Sequence, residues 1–210
     1  MKVCDIIALA ALALPFTAGA SPIYDNLGSS GTGTTVSSTS WAANTFTTGS
    51  AATLADVIVS LEGISSATGS VTVALYSDVS NAPGMLLSTL GTIQDNDSRL
   101  STSAFNNVTF GGNNYSLAAT TEYYIVLSGT STGDVLWQRS SNTSGTGVAG
   151  NLVALSPDGG TTWFPSTLNS DHLPFVMEVD PATGVPEPNT IFGALGGFVA
   201  IAIARLRQRG

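Results

Sequence analysis

Between residues 41 and 180 the apolar residues of this chain recur at every second position in short runs, and each run stops at a cluster of Gly, Ser, Thr, Asn or Pro. A period of two puts alternate side chains on one face of an extended strand, whereas a helix needs a period near 3.6. Val57, Val59 and Leu61 share one face, and Val71, Val73 and Leu75 repeat the pattern after the turn at 65–69. Leu86 to Ile93 is a looser strand, and Val108 and Phe110 precede the turn Gly111-Gly112-Asn113-Asn114. Tyr123, Ile125 and Leu127 alternate, as do Val135 and Trp137; Leu152 to Leu155 follows, then Phe175, Met177 and Val179. No window carries a helical stripe over three turns. The expectation is an all-β chain of eight or nine strands, an antiparallel β-sandwich or jelly-roll-like domain over 41–180.

Composition agrees. Ser, Thr and Gly make up 75 of the 210 residues, and only 20 residues are charged. The net charge of −8 excludes nucleic-acid binding by phosphate neutralisation, which needs clustered Lys and Arg. The segment 28–40 is low-complexity, so 21–40 reads as a flexible lead-in or an edge.

The two ends read as targeting segments. Lys2 precedes the apolar run Ile6 to Leu14, Pro15 breaks it, and Ala18-Gly19-Ala20 supplies a small-x-small cleavage site. Residues 1–20 are therefore expected to be a secretory signal peptide, cut after Ala20 by signal peptidase during Sec export. Cys4 lies in the part removed, which leaves no disulfide and no thiol nucleophile. Without Asp5 and Glu187 the domain keeps 12 acidic residues against Arg99 and Arg139, a net of −10 that anionic membranes repel. At the other end, a linker over 181–184 leads to Pro186-Glu187-Pro188, an uncharged span over 191–204, and Arg205, Arg207 and Arg209. As a single hydrophobic helix the span reaches about 21 Å, against roughly 30 Å of hydrocarbon. The arginines stop transfer and hold the last residues in the cytoplasm. The membrane is thus met through the tail, at least transiently.

The tail, 185–210, resembles the PEP-CTERM sorting signal: Pro-Glu-Pro, a Gly-rich apolar span and an Arg cluster, in that order. The resemblance implies an exosortase-type membrane enzyme as partner, and a place in the cell envelope, on the surface or in the extracellular matrix of a polysaccharide-producing Gram-negative bacterium. The domain is similar to the choice-of-anchor type, type R. Phe46-Thr47-Thr48-Gly49, Val73 to Ser77 with Ala82-Pro83-Gly84, Leu117 to Thr121 leading into Tyr123 to Leu127, and Trp137 carry that likeness. It implies surface display and supplies no activity.

Several motifs have the letters of a catalytic or binding site and the wrong setting. Gly129-Thr130-Ser131-Thr132-Gly133 matches G-x-S-x-G, with His172 and Asp158 or Asp171 to complete a triad on paper. A nucleophile elbow joins a strand to a helix, and here the turn leads into another strand. Gly145 to Gly150 matches G-x-G-x-x-G, but no βαβ unit surrounds it. One histidine and scattered acids do not make a transition-metal site. Asp95, Asp97 and Asp78 bring Ca²⁺ into consideration, but the EF-hand spacing is absent and the reading taken is solvated turn residues. Paired carboxylates for glycoside cleavage would need two of Glu62, Glu122, Glu178 or the aspartates in one cleft, which sequence does not place. No enzyme and no cofactor are expected.

Trp41, Trp137 and Trp163 allow a different chemistry, because an aromatic face on a sandwich stacks against sugar rings. Trp163, beside the turn Asp158-Gly159-Gly160, and less directly Trp137, are the candidate stacking residues, although the core is the commoner fate of a Trp in so small a domain. The leading expectation is a non-enzymatic exported surface or matrix protein associated with biofilm exopolysaccharide. The alternative is a carbohydrate-binding module for that exopolysaccharide, with a secreted hydrolase and an ice-binding protein as remote readings. This tail type also accompanies ice-binding domains, but they would want a flat Thr-x-Thr array, and only isolated cases such as Thr45-Phe46-Thr47 occur.

Overall fold

The computed structural model describes residues 21–64, 68–141, 145–147, 149–167 and 173–182. These hold strands and turns and no helix. The chain runs β1 (Tyr24–Asp25), β2 (Gly33–Val36), β3 (Trp41–Thr47), β4 (Ala52–Gly63), β5 (Ser70–Val79), β6 (Ala82–Gln94) and β7 (Asn106–Gly111). It continues through β8 (Ser116–Leu117), β9 (Glu122–Gly129), β10 (Val135–Gln138), β11 (Thr146–Gly147), β12 (Ala149–Ser156), β13 (Phe164–Thr167) and β14 (Met177–Pro181).

Every pairing is antiparallel. One sheet has the order β13-β12-β3-β9-β5-β6. The other is built around β4, the long central strand. Along one edge of β4, Met177 to Pro181 pair with Val59 to Leu54, and Val135 to Trp137 continue on Gly63 to Leu61. β7 covers the opposite edge at 56–61. β1 and β11 extend the sheet beyond β14, and β2 extends it beyond β10.

The inward positions are those the alternation marks. Val57, Val59, Leu61, Val108, Phe110, Val135, Met177 and Val179 of one sheet meet Val71, Val73, Leu75, Ile125, Leu127 and Phe46 of the other in one core. Turn chemistry matches local sequence. Ser80 and Asn81 both take positive φ, and so do Asn113 and Asn114 in the turn expected there. Paired positive φ angles suit the tight turns whose twist matches that of antiparallel strands, and Asn tolerates them.

One expectation is decided between its two readings and two need correction. The lead-in is an edge of the fold and not a flexible segment: Tyr24 and Val36 are fully buried, and Gly33 to Val36 pair with Gln138 to Val135 as an edge strand. Ser37 closes the turn after β2 by accepting the Ser40 amide at 2.9 Å. The linker also begins later, since Asp180 and Pro181 pair with β4 and the Ala182 amide bonds Thr53 at 2.7 Å. Trp137 points inward. It has no exposed surface, donates Nε1–H to the Val176 carbonyl at 3.1 Å, and stacks on Phe175 at 4.3 Å. It is unavailable to a sugar. The signal peptide with Ala18 and Ala20, the tail with Pro186, Glu187 and Pro188, and the Arg205, Arg207 and Arg209 cluster lie outside the described residues.

Candidate glycan-binding face

The six-stranded sheet has an outer face as well as the inner one, and many of its outward positions are apolar or aromatic. β5 alternates inward Val71, Val73 and Leu75 with outward Ala74, Tyr76 and Asp78; β9 alternates Tyr123, Ile125 and Leu127 with Glu122, Tyr124 and Val126. The strand registers set these in rows. Thr45, Tyr124, Tyr76 and Leu86 lie side by side across β3, β9, β5 and β6. Ala154, Ala43, Val126 and Ala74 form the next row along the sheet. Trp41 closes the end of β3 opposite Ser156. Ala43, Tyr124, Val126, Leu152 and Ala154 form a second apolar cluster, with Trp41, Tyr76 and Trp163 half-buried against it. From Trp41 to Thr45 is about 13 Å of strand, so aromatic groups flank a stretch of small side chains.

Trp163 comes from the turn between β12 and β13, and that turn is locally specified. Asp158 accepts the Ser156 hydroxyl and the Thr162 amide, each at 2.8 Å, while the Gly160 amide donates to Ser156 Oγ at 2.8 Å. These donors, the Thr162 amide first, hold the Asp158 carboxyl below its ordinary range. Gly160 has φ +86°, and a Cβ there would lie 2.5 Å from the Trp41 ring. The turn therefore lies against Trp41 and carries Trp163 beside it, ring centroids 6.5 Å apart and planes tilted by 59°.

Among the described residues four buried side-chain polar atoms have no hydrogen-bond partner: Trp41 Nε1, Tyr124 Oη, Asp78 Oδ1 and Asp95 Oδ1. Three of the four belong to this face. Buried polar groups in folded proteins are nearly always satisfied, so their concentration on one surface sets this face apart. The electrostatics are one-sided. Burial, then the charges of Asp78 and Glu122, push the Tyr124 hydroxyl well above its ordinary range. Burial and then Glu122 raise Asp78, opposed by the Asn81 backbone amide. Both described cations are engaged elsewhere: Arg99 pairs with Asp97 at 2.9 Å, and Arg139 lies over the Phe175 ring at 4.8 Å.

The remaining motifs resolve into structure. Ser131 lies in the β9–β10 turn, where its amide and hydroxyl both donate to the fully buried Asp134 carboxylate, the amide to Oδ2 at 3.0 Å. Gly145 to Gly150 spans β11 and the start of β12, which belong to different sheets. Asp171 and His172 lie outside the described residues. Asp95 is not a solvated turn residue. It is buried at the end of β6, accepts the Gly69 amide, and has its carboxyl pushed up to about 6 by burial first and by the neighbouring Asp134. Among the described residues no group of three or more His, Cys, Asp or Glu is placed to hold a metal ion.

Of the two tryptophans expected to stack, the fold leaves Trp163 half-buried on the outer face and places Trp137 in the core. Trp41, Tyr76, Tyr124 and Asp78 are the residues the stacking expectation missed. The signal for them was present: outward positions of β5 and β9 that are apolar or aromatic where a solvated face would be polar. No family model, curated protein or solved structure matches the chain.

Proposed function

We propose that this chain is an exported, non-enzymatic surface or matrix protein that holds polysaccharide on the outer face of its six-stranded sheet. Signal peptidase and the Sec machinery release the mature chain, and an exosortase-type enzyme processes the PEP-CTERM-like tail after transient anchoring in the inner membrane. The domain, a β-sandwich of the choice-of-anchor kind, is then displayed at the envelope or in the extracellular matrix. The observation that carries the binding role is the Trp41–Trp163 pair, with Trp41 Nε1, Tyr124 Oη and Asp78 Oδ1 all lacking partners on the same face. Sugar rings present an apolar face to stack on indoles and hydroxyls to satisfy such groups.

A glycan array probed with the mature protein tests it. Retention of at least one glycan class, lost on Trp163→Ala, is expected; no retained glycan on an array that includes the host's own exopolysaccharide overturns the binding role. The sorting role is tested separately. Glu187→Ala should leave export intact and block removal of the tail, read from the intact mass of released protein. Wild-type protein that retains Arg205 to Gly210 in its host would leave only simple anchoring.

A further inference from the structure

The aromatic face is not uniform in charge. At one end Trp41 and Trp163 meet across the turn held by Asp158. At the other, Asp78 lies two residues beyond Tyr76 and Glu122 two residues before Tyr124, both projecting from the outer side of the sheet. Asp78 and Glu122 are close enough for each to act on the Tyr124 hydroxyl, and Glu122 acts on Asp78. Tyr124 is fully buried, and its hydroxyl, within the influence of both carboxylates, has no hydrogen-bond partner. Asp78 Oδ1 is likewise buried and unpartnered. A tyrosine hydroxyl can donate or accept, but an ionised carboxylate only accepts. The ligand group that completes this end must therefore bring a donor. The domain carries a net charge of −10, with neither Arg99 nor Arg139 on this face, so the complementary donor is positively charged.

Resting on the glycan reading above, we propose that this end of the face recognises the protonated amine of a free amino sugar, so that the protein prefers polymers containing unacetylated glucosamine to neutral or uronic-acid polymers. An ammonium carries three donors and no acceptor, which suits an unpartnered carboxylate oxygen and a nearby hydroxyl that can accept. Polyuronates would bring a further carboxylate beside Asp78 and Glu122 and are repelled. An N-acetylated residue still stacks on the tryptophans but presents one neutral amide donor in place of the cation.

The test is a fluorescence titration of the mature protein with glucosamine hexamer, N-acetylglucosamine hexamer, a neutral glucan hexamer and oligoguluronate. Thermal melts confirm that each variant is folded. The glucosamine hexamer should bind about tenfold tighter than its acetylated counterpart, the worth of one charge-assisted hydrogen bond. Asp78→Asn keeps an acceptor for the Asn81 amide but removes the charge, and should bring the two affinities together. Glu178→Gln, on the other sheet, should leave the preference unaltered. Equal binding of acetylated and free hexamers, with loss in Trp163→Ala, overturns the amine preference and leaves the glycan reading standing. A preference that survives Asp78→Asn but falls in Glu178→Gln places the cation elsewhere and also overturns the proposal. Absence of binding to every hexamer and to the host polysaccharide removes both.

Discussion

Replacing Asn44 by Ala should destabilise the domain by an amount that follows from three contacts. Asn44 has almost no exposed surface; its Oδ1 accepts the Phe175 amide at 3.0 Å, and its Nδ2 donates to the Thr45 carbonyl at 3.1 Å and reaches Met177 Sδ at 3.8 Å. Phe175 sits where the chain enters β14, and a side chain from the facing sheet satisfies its backbone amide. Alanine leaves that amide buried and unpaired, at a cost of about 1–3 kcal/mol. Loss of the Nδ2 bond and a small void adds roughly 1 kcal/mol. The sum, about 2–4 kcal/mol, is a large part of the 5–15 kcal/mol typical of a domain. At roughly 2–4 °C per kcal/mol for this size, the midpoint should fall by about 5–12 °C. The assay is urea and thermal unfolding of the mature protein. Asn26 holds the same segment, accepting the Met177 amide at 2.7 Å and donating to the Phe175 carbonyl at 3.1 Å. The double variant should therefore lose less than the sum of the singles, because residues sharing one partner segment are coupled. A loss below about 0.5 kcal/mol for Asn44→Ala, the level of an ordinary surface change, would refute the reasoning.

Two further outcomes follow from the same structure. Stability should fall as pH rises from about 5 to 8. The Glu178 carboxyl is pushed up to about 7 by burial first and then by Asp180 and Asp25, and Asp95 is pushed up to about 6. A carboxyl whose folded value exceeds its unfolded one binds its proton more tightly when folded, so its contribution is complete below the unfolded value and lost as pH rises through the folded one. After discounting for solvent screening, Glu178 should contribute about 1 kcal/mol, and Glu178→Gln should flatten the melting profile between pH 5 and 8. Gly160→Ala should move the turn off Trp41, since the site has positive φ and the added methyl would strike the ring. Near-UV circular dichroism should lose the coupled indole signal, and glycan binding should weaken several-fold, while global stability falls by only the roughly 1–2 kcal/mol cost of that backbone conformation.

The inner face of the fold was legible because burial on one side of a strand writes itself as alternation. Val57, Val59 and Leu61, and Tyr123, Ile125 and Leu127, all point into the core as their spacing indicates. Short strands were harder, since Tyr24–Asp25 and Thr146–Gly147 are too brief to show a period and exist through pairing with each other and with β14. The choice of tryptophan failed for a related reason. Trp137 and Trp163 both lie near turns, and only register decides that Trp137, opposite Leu61, faces inward. The candidate face joins outward positions of β3, β5, β9 and β12 with a turn residue, groups up to 122 positions apart in the chain, Trp41 and Trp163 being the extremes. Local sequence carries each residue type but not their juxtaposition. The buried Asp95–Asp134 contact was hidden in the same way, because Asp95 follows a strand of one sheet and Asp134 precedes a strand of the other.

The most direct measurement is the tryptophan emission of the mature protein titrated with its host's exopolysaccharide, repeated with Trp41→Phe, Trp163→Phe and the double variant. Trp137 is enclosed and should stay blue-shifted and silent throughout, while Trp41 and Trp163 report contact. A saturable change in wild type, reduced in each single variant and absent in the double, is the expected result. A saturable change that persists undiminished in the double variant would place the polysaccharide on another surface and contradict the account.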